Sequence, residues 1–126
     1  LMHTDDKLPL ISQDAPFSDI LNIISSKGYG IVGLENDIGE MSGVITDGDV
    51  RRYITKNTDG SMKEVMFGTS GKEIMTKSFV SFEENQSCAK ILSILEQKNI
   101  SSAFVLKNGK PHGLISMLML IQAGVA

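Results

Sequence analysis

The chain has 126 residues, of which 41% are hydrophobic and 21% charged, with a net charge of −3. That allows one compact domain or two very small modules sharing a core, in the ordinary balance of a soluble globular protein. The charge, without a basic cluster, argues against a nucleic-acid partner; no apolar run nears the ~20 residues of a membrane span; and one cysteine cannot close an internal disulfide, so a reducing, cytoplasmic setting is expected.

Residues 1–8 are polar from the start and carry no signal-peptide pattern. A chain that opens on Leu1 is expected to be a piece of something longer. His3 with Asp5 and Asp6 lacks the further ligands of a metal site and reads as solvated chain. Leu8-Pro9-Leu10-Ile11 predicts a first or edge strand. Asp14 and Pro16 signal a helix start, and Phe17, Ile20, Leu21 and Ile24 recur at i, i+3, i+4, i+7, the stripe of an amphipathic helix. Lys27-Gly28 ends that helix. Ile31 to Leu34 and Met41 to Ile45 predict a hairpin around the turn Asn36-Asp37-Ile38-Gly39.

The chemistry of the chain is concentrated in Gly43-Val44-Ile45-Thr46-Asp47-Gly48-Asp49-Val50-Arg51-Arg52. A buried strand runs into a hydroxyl, two carboxylates around a glycine, and two arginines. Asp47 is expected to cap the helix from 47 to 53. Thr46 and Asp49 then stand where a strand end meets a helix N-terminus, a place suited to an anion or a ribose. Asp49 can accept from a pair of sugar hydroxyls, Thr46 can bond a phosphate or a hydroxyl, and Arg51 and Arg52 can reach phosphate oxygens or remain solvated surface. The Asp47-Gly48-Asp49 run lacks the rest of a calcium-loop pattern, and no metal site is expected.

Residues 55–73 read as a polar, Gly-rich linker carrying a short helical piece, Met62 to Phe67, whose Met and Phe side chains contact a partner or pack on the module's own surface. From Ile74 the plan restarts. Phe79 to Phe82 predicts a strand and Asn85 to Ser87 offers helix caps. Cys88, Ile91, Leu92 and Leu95 form a second stripe, each 71 residues after Phe17, Ile20, Leu21 and Ile24. Cys88 in that stripe reads as a packing residue, not a nucleophile. Ala103 to Leu106 and Pro111 to Ile115 predict a second hairpin about Asn108-Gly109. His112, at its edge, has no charged partner in the sequence nearby and reads as surface. Met117 to Gln122 predicts a last helix. Gly43-Val44-Ile45-Thr46 aligns with Gly113-Leu114-Ile115-Ser116, now 70 apart, the slip falling where the first turn is longer.

Stripe, turn and strand repeating in register predict an α/β (α+β) protein of two β-α-β-β-α units, residues 1–54 and 74–126, related by a pseudo-two-fold with clefts between the copies. No Ser/His/Asp, Cys/His or paired-carboxylate constellation stands out, so no catalytic residue is assigned and the fragment is not expected to be an enzyme.

A β-α-β-β-α unit with Gly, two apolar residues and Thr/Ser-x-x-Asp before its last helix resembles the cystathionine β-synthase (CBS) domain. Two in tandem resemble a CBS pair, or Bateman module, over essentially all of residues 1–126. The resemblance implies a regulatory module binding adenosine nucleotides or related ligands, with Asp49 on the ribose and Thr46 near the phosphate. It places the base against Tyr29-Gly30-Ile31 in the first copy and Ile100-Ser101-Ser102 in the second. In the second copy Ser116 survives but Met119 stands where the ribose Asp would be, so one competent site per chain is expected. The stretch from Met2 to Pro9, Thr46-Asp47-Gly48-Asp49-Val50-Arg51-Arg52 and the ending Leu120 to Val125 resemble the CBS tail of D-arabinose 5-phosphate isomerases. Those enzymes interconvert ribulose 5-phosphate and arabinose 5-phosphate for Kdo and lipopolysaccharide synthesis. This implies a missing N-terminal sugar-isomerase (SIS) catalytic domain as partner, homodimerisation through the CBS helices, no required cofactor, and AMP, ATP or CMP-Kdo as regulatory ligand. A ligand-free oligomerisation module, or the CBS pair of another enzyme or transporter, is the rival reading.

Overall fold

The computed structural model describes residues 8–56 and 61–124, with the side chain of Met62 left undescribed. Two compact units divide the chain, Pro9–Phe79 and the part from Val80 onward.

In the first unit β1 (Leu10–Ser12), α1 (Phe17–Lys27), β2 (Ile31–Glu35), β3 (Met41–Thr46) and α2 (Asp47–Lys56) follow the expected order, with α3 (Met62–Gly68) and α4 (Gly71–Ile74) added. The sheet runs β1-β2-β3, with β1 parallel and β3 antiparallel to β2. Gly28 closes α1 at φ 74°, a conformation that glycine takes without strain, and donates its N–H to the Ile24 carbonyl. Asn36 shapes the hairpin turn, its Oδ1 accepting from the N–H groups of Ile38 and Glu40. The helical stripe and the strands meet in a core of Ile20, Val32, Leu34 and Ile45, joined by Ile23, Ile24 and Val50.

The second unit repeats this with β4 (Ser81–Glu83), α5 (Cys88–Lys98), β5 (Ser102–Lys107), β6 (Lys110–Ser116) and α6 (Met117–Gln122). Its sheet runs β4-β5-β6 with the same parallel and antiparallel pairings. The repeat reaches fine detail. The register of the hairpin shifts between Leu34 and Glu35 in the first copy and between Val105 and Leu106 in the second, 71 residues on. Asn99, with φ 56°, ends α5 where Gly28 ends α1. Asn108 and Gly109, at φ 55° and 79°, make the tight turn that Asn-Gly favours. The core is Phe82, Ile91, Leu92, Leu95, Ala103, Val105, Ile115 and Leu120, with half-buried Cys88 packed against it.

The stretch read as a linker differs from that expectation beyond α3. Gly71 is buried, and a Cβ there would stand 3.0 Å from Ile20 Cδ1, 3.2 Å from Leu34 Cδ1 and 3.2 Å from the Gln13 carbonyl. Ile74 and Met75 pack on the first unit's core. Thr76 then forms an antiparallel bridge with Val44, exchanging bonds of 2.8 and 3.1 Å. This covers the open edge of β3, whose N–H and C=O groups would otherwise seek partners. Ile74, read as the restart of the plan, packs its side chain against the first unit's core. On α3, Val65 and Met66 are half-buried and Phe67 is 67% exposed.

Candidate functional site

The strand β3 carries its extended backbone through Thr46, which pairs with Ile31 on β2, and α2 begins one residue later. This decides which oxygen caps the helix. Thr46 is the last residue outside it, and its Oγ1 accepts from the Asp49 N–H at 3.2 Å. The Asp49 Oδ2 returns the favour to the Thr46 N–H at 3.0 Å. The pair is a reciprocal capping box, with Asp49 in place of the usual Glu. Asp47, expected as the cap, is instead the first helical residue. Its N–H donates to the Gly30 carbonyl at 3.0 Å, and its exposed carboxylate lies over the Gly30 Cα, where a Cβ would stand 2.9 Å from Oδ2.

Asp49 is the hub of this corner. Its side chain is 13% exposed. Besides the cap bond, Oδ2 lies 3.5 Å from the Thr76 hydroxyl, and Oδ1 accepts from the Arg52 guanidinium, one turn along the exposed side of α2. Thr76 is a member that sequence reasoning missed. It lies 27 residues downstream and reaches Asp49 only because its backbone bridges Val44. No local pattern marks it.

Of the other expected residues, Gly30 and Ile31 stand beside Thr46 and Asp47 through the bonds just given, and Tyr29 precedes them half-buried. Gly30 has φ 71°, so the chain turns there in a region other residues rarely enter. Arg51 is exposed; among the described residues its guanidinium pairs with neither Asp47 nor Asp49.

The second copy keeps the frame and loses the carboxylate. Ser116 caps α6, its Oγ accepting from the Met119 N–H at 3.1 Å. The Met117 N–H donates to the Ser101 carbonyl at 2.8 Å, as Asp47 does to Gly30, and Ser102 pairs with Ser116 as Ile31 does with Thr46. Met119 returns no bond to the Ser116 N–H, having no strong acceptor. His112 differs from its expected solitude: its Nε2 lies 3.1 Å from Glu84 Oε2, with Lys107 Nζ at 3.8 Å from the other carboxylate oxygen. Glu84 also lines a depression of about 180 Å³ with Gln86, Cys88, Ile91 and Val105. Among the described residues no group of three or more His, Cys, Asp or Glu is placed to hold a metal, and no helix is long and apolar enough to cross a membrane. His3 lies outside the described residues.

Two copies of one β-α-β-β-α unit, each with a hydroxyl capping its last helix, meet a matching family model: the CBS domain, over residues 1–56 and again over 72–126. The chain belongs to the CBS-domain family. Among curated relatives, the CBS repeats align with arabinose 5-phosphate isomerase KdsD of Yersinia pestis, 26% identical over 99% of this chain and 36% of that one. Arabinose 5-phosphate isomerase GutQ of Escherichia coli O6:H1 is 30% identical over 99% of this chain and 37% of that one. The chain thus spans little more than a third of the length of these relatives. Among solved structures, CBSX2 in complex with AMP superposes with a TM-score of 0.80 at 16% identity, covering 97% of this chain and 90% of that one, which establishes the shared CBS-pair fold.

Proposed function

We propose that this CBS pair is the regulatory part of a D-arabinose 5-phosphate isomerase and that its first copy binds a ribonucleotide in a cytoplasmic setting. The observation that carries the ligand half of this reading is the Asp49 carboxylate. It is nearly buried and held in place by the N–H of Thr46, the residue that pairs with Ile31. In that position it accepts from the two hydroxyls of a ribose, with Thr46, Arg51 and Arg52 serving the phosphate and Tyr29, Gly30 and Ile31 facing the base. The second copy, with Met119 in place of the carboxylate, lacks the group that would fix a ribose and keeps only Ser101, Ser102 and Ser116. The enzyme half of the reading is supported by relatives that the chain matches along 99% of its own length.

Catalysis would belong to a sugar-isomerase (SIS) domain elsewhere in the parent protein. Ligand binding would regulate it only if two arrangements of the CBS pair differ in affinity, since a ligand that binds both alike shifts nothing. The ligands favoured are AMP or ATP, by family habit, and CMP-Kdo, by the logic of end-product feedback. Calorimetric titration of the 126-residue chain with all three, wild type beside Asp49→Ala, tests this. Binding of one, weakened tenfold or more in the variant, is the expected result, because bonds to a charged acceptor are worth about 1.5–3 kcal/mol each. Binding of none, or binding indifferent to Asp49, would overturn it.

A second reading has its own support. Leu118 and Ile121, one turn apart on α6, are 63% and 54% exposed, the pattern of a helix face that docks elsewhere. It would make the pair a homodimerising scaffold. Sedimentation of the wild type beside Leu118→Glu distinguishes it.

A further inference from the structure

Arg52 holds the carboxylate oxygen that a diol would need. Asp49 Oδ2 is committed to the Thr46 N–H and lies near the Thr76 hydroxyl, so Oδ1 is the oxygen with lone pairs to offer, and the Arg52 guanidinium sits on it. The fit is built into the helix. Gly48 leaves the room for the guanidinium to fold back, since a Cβ there would stand 3.3 Å from Arg52 Nη1. The Arg52 side chain is 65% exposed, so it can leave without desolvating anything.

We infer that Arg52 is a specificity-determining latch that makes the site prefer a phosphorylated ribonucleoside to the nucleoside alone. This rests on the reading above, in which Asp49 takes the ligand's diol. A nucleoside must compete with the guanidinium for Oδ1 and offers nothing in exchange. A nucleotide frees the guanidinium and supplies a phosphate for it, and a guanidinium–phosphate bond is charge-assisted and two-pronged. The ion pair therefore acts against one ligand and is converted into a contact by the other.

The test is calorimetric titration of AMP and adenosine into the 126-residue chain as wild type, Arg52→Gln, Arg52→Lys and Asp49→Ala, each checked for folding by circular dichroism. In Arg52→Gln, adenosine is expected to bind about two- to fivefold tighter, the scale of an exposed ion pair, while AMP binds more weakly, so that the preference for AMP collapses. Arg52→Lys is expected to keep the wild-type order. Equal shifts of both ligands in Arg52→Gln, or no shift in either, with binding still lost in Asp49→Ala, would overturn the latch and leave the diol reading standing. Failure of both compounds to bind the wild type would overturn the diol reading and the latch with it.

Discussion

Thr46 and Asp49 hold each other: the Asp49 N–H donates to the Thr46 hydroxyl at 3.2 Å, and the Thr46 N–H donates to the Asp49 carboxylate at 3.0 Å. The two residues assigned to a ligand are thus also the residues that start α2. Stability and binding can be separated here by chemistry. Asp49→Ala removes an acceptor from a half-buried N–H and is expected to destabilise the chain by about 1 kcal/mol. Asp49→Asn keeps an oxygen for that N–H and is expected to lose less, while losing the Arg52 ion pair. Urea midpoints of the two variants check this.

The second copy has half of this box. Ser116 caps Met119, and Met119 gives nothing back. Met119→Asp is expected to stabilise the chain by about 0.5–1 kcal/mol, since it adds a carboxylate to the first turn of α6 and an acceptor for the Ser116 N–H. A higher urea midpoint with an unchanged slope is the measurement.

Gly30 lies at φ 71° with the Asp47 carboxylate over it. Gly30→Ala meets two penalties of different size. The contact at 2.9 Å is with the tip of a flexible side chain that can swing away. The backbone conformation cannot relax, and costs about 1–2 kcal/mol for a residue with a Cβ. The loss is therefore expected to be nearly the same in an Asp47→Ala background, which thermal unfolding of the double variant checks.

Gly71 packs between Ile20, Leu34 and the Gln13 carbonyl. Gly71→Ala is expected to cost about 1–3 kcal/mol, as overpacking does in a filled core. If the stretch 55–73 were a free linker the change would be silent, so the urea midpoint reports directly on that packing.

The stripes at Phe17 and Cys88, the Asn108-Gly109 turn and the Thr46/Ser116 correspondence were legible because each depends on residues close in sequence. What escaped depends on distance or on competition. Thr76 reaches Asp49, and Glu84 reaches His112, only through sheet edges and neighbouring strands. Met75 finds its place because Gly43 leaves a hollow, where a Cβ would come within 2.6 Å of its sulfur. No local pattern records that fit. The cap at α2 was misplaced by one residue because Thr46 and Asp47 both carry suitable oxygens. Only the pairing of Thr46 with Ile31 decides between them.

The corner around Asp49, and not its Ser116 counterpart, is the proposed ligand site. Amide chemical-shift mapping of the labelled 126-residue chain during titration with AMP tests it most directly. Saturating shifts at Gly30, Ile31, Thr46 and Asp49 that vanish in Asp49→Ala are expected. Shifts confined to Ser101, Ser102 and Ser116, or no shifts at all, would contradict it.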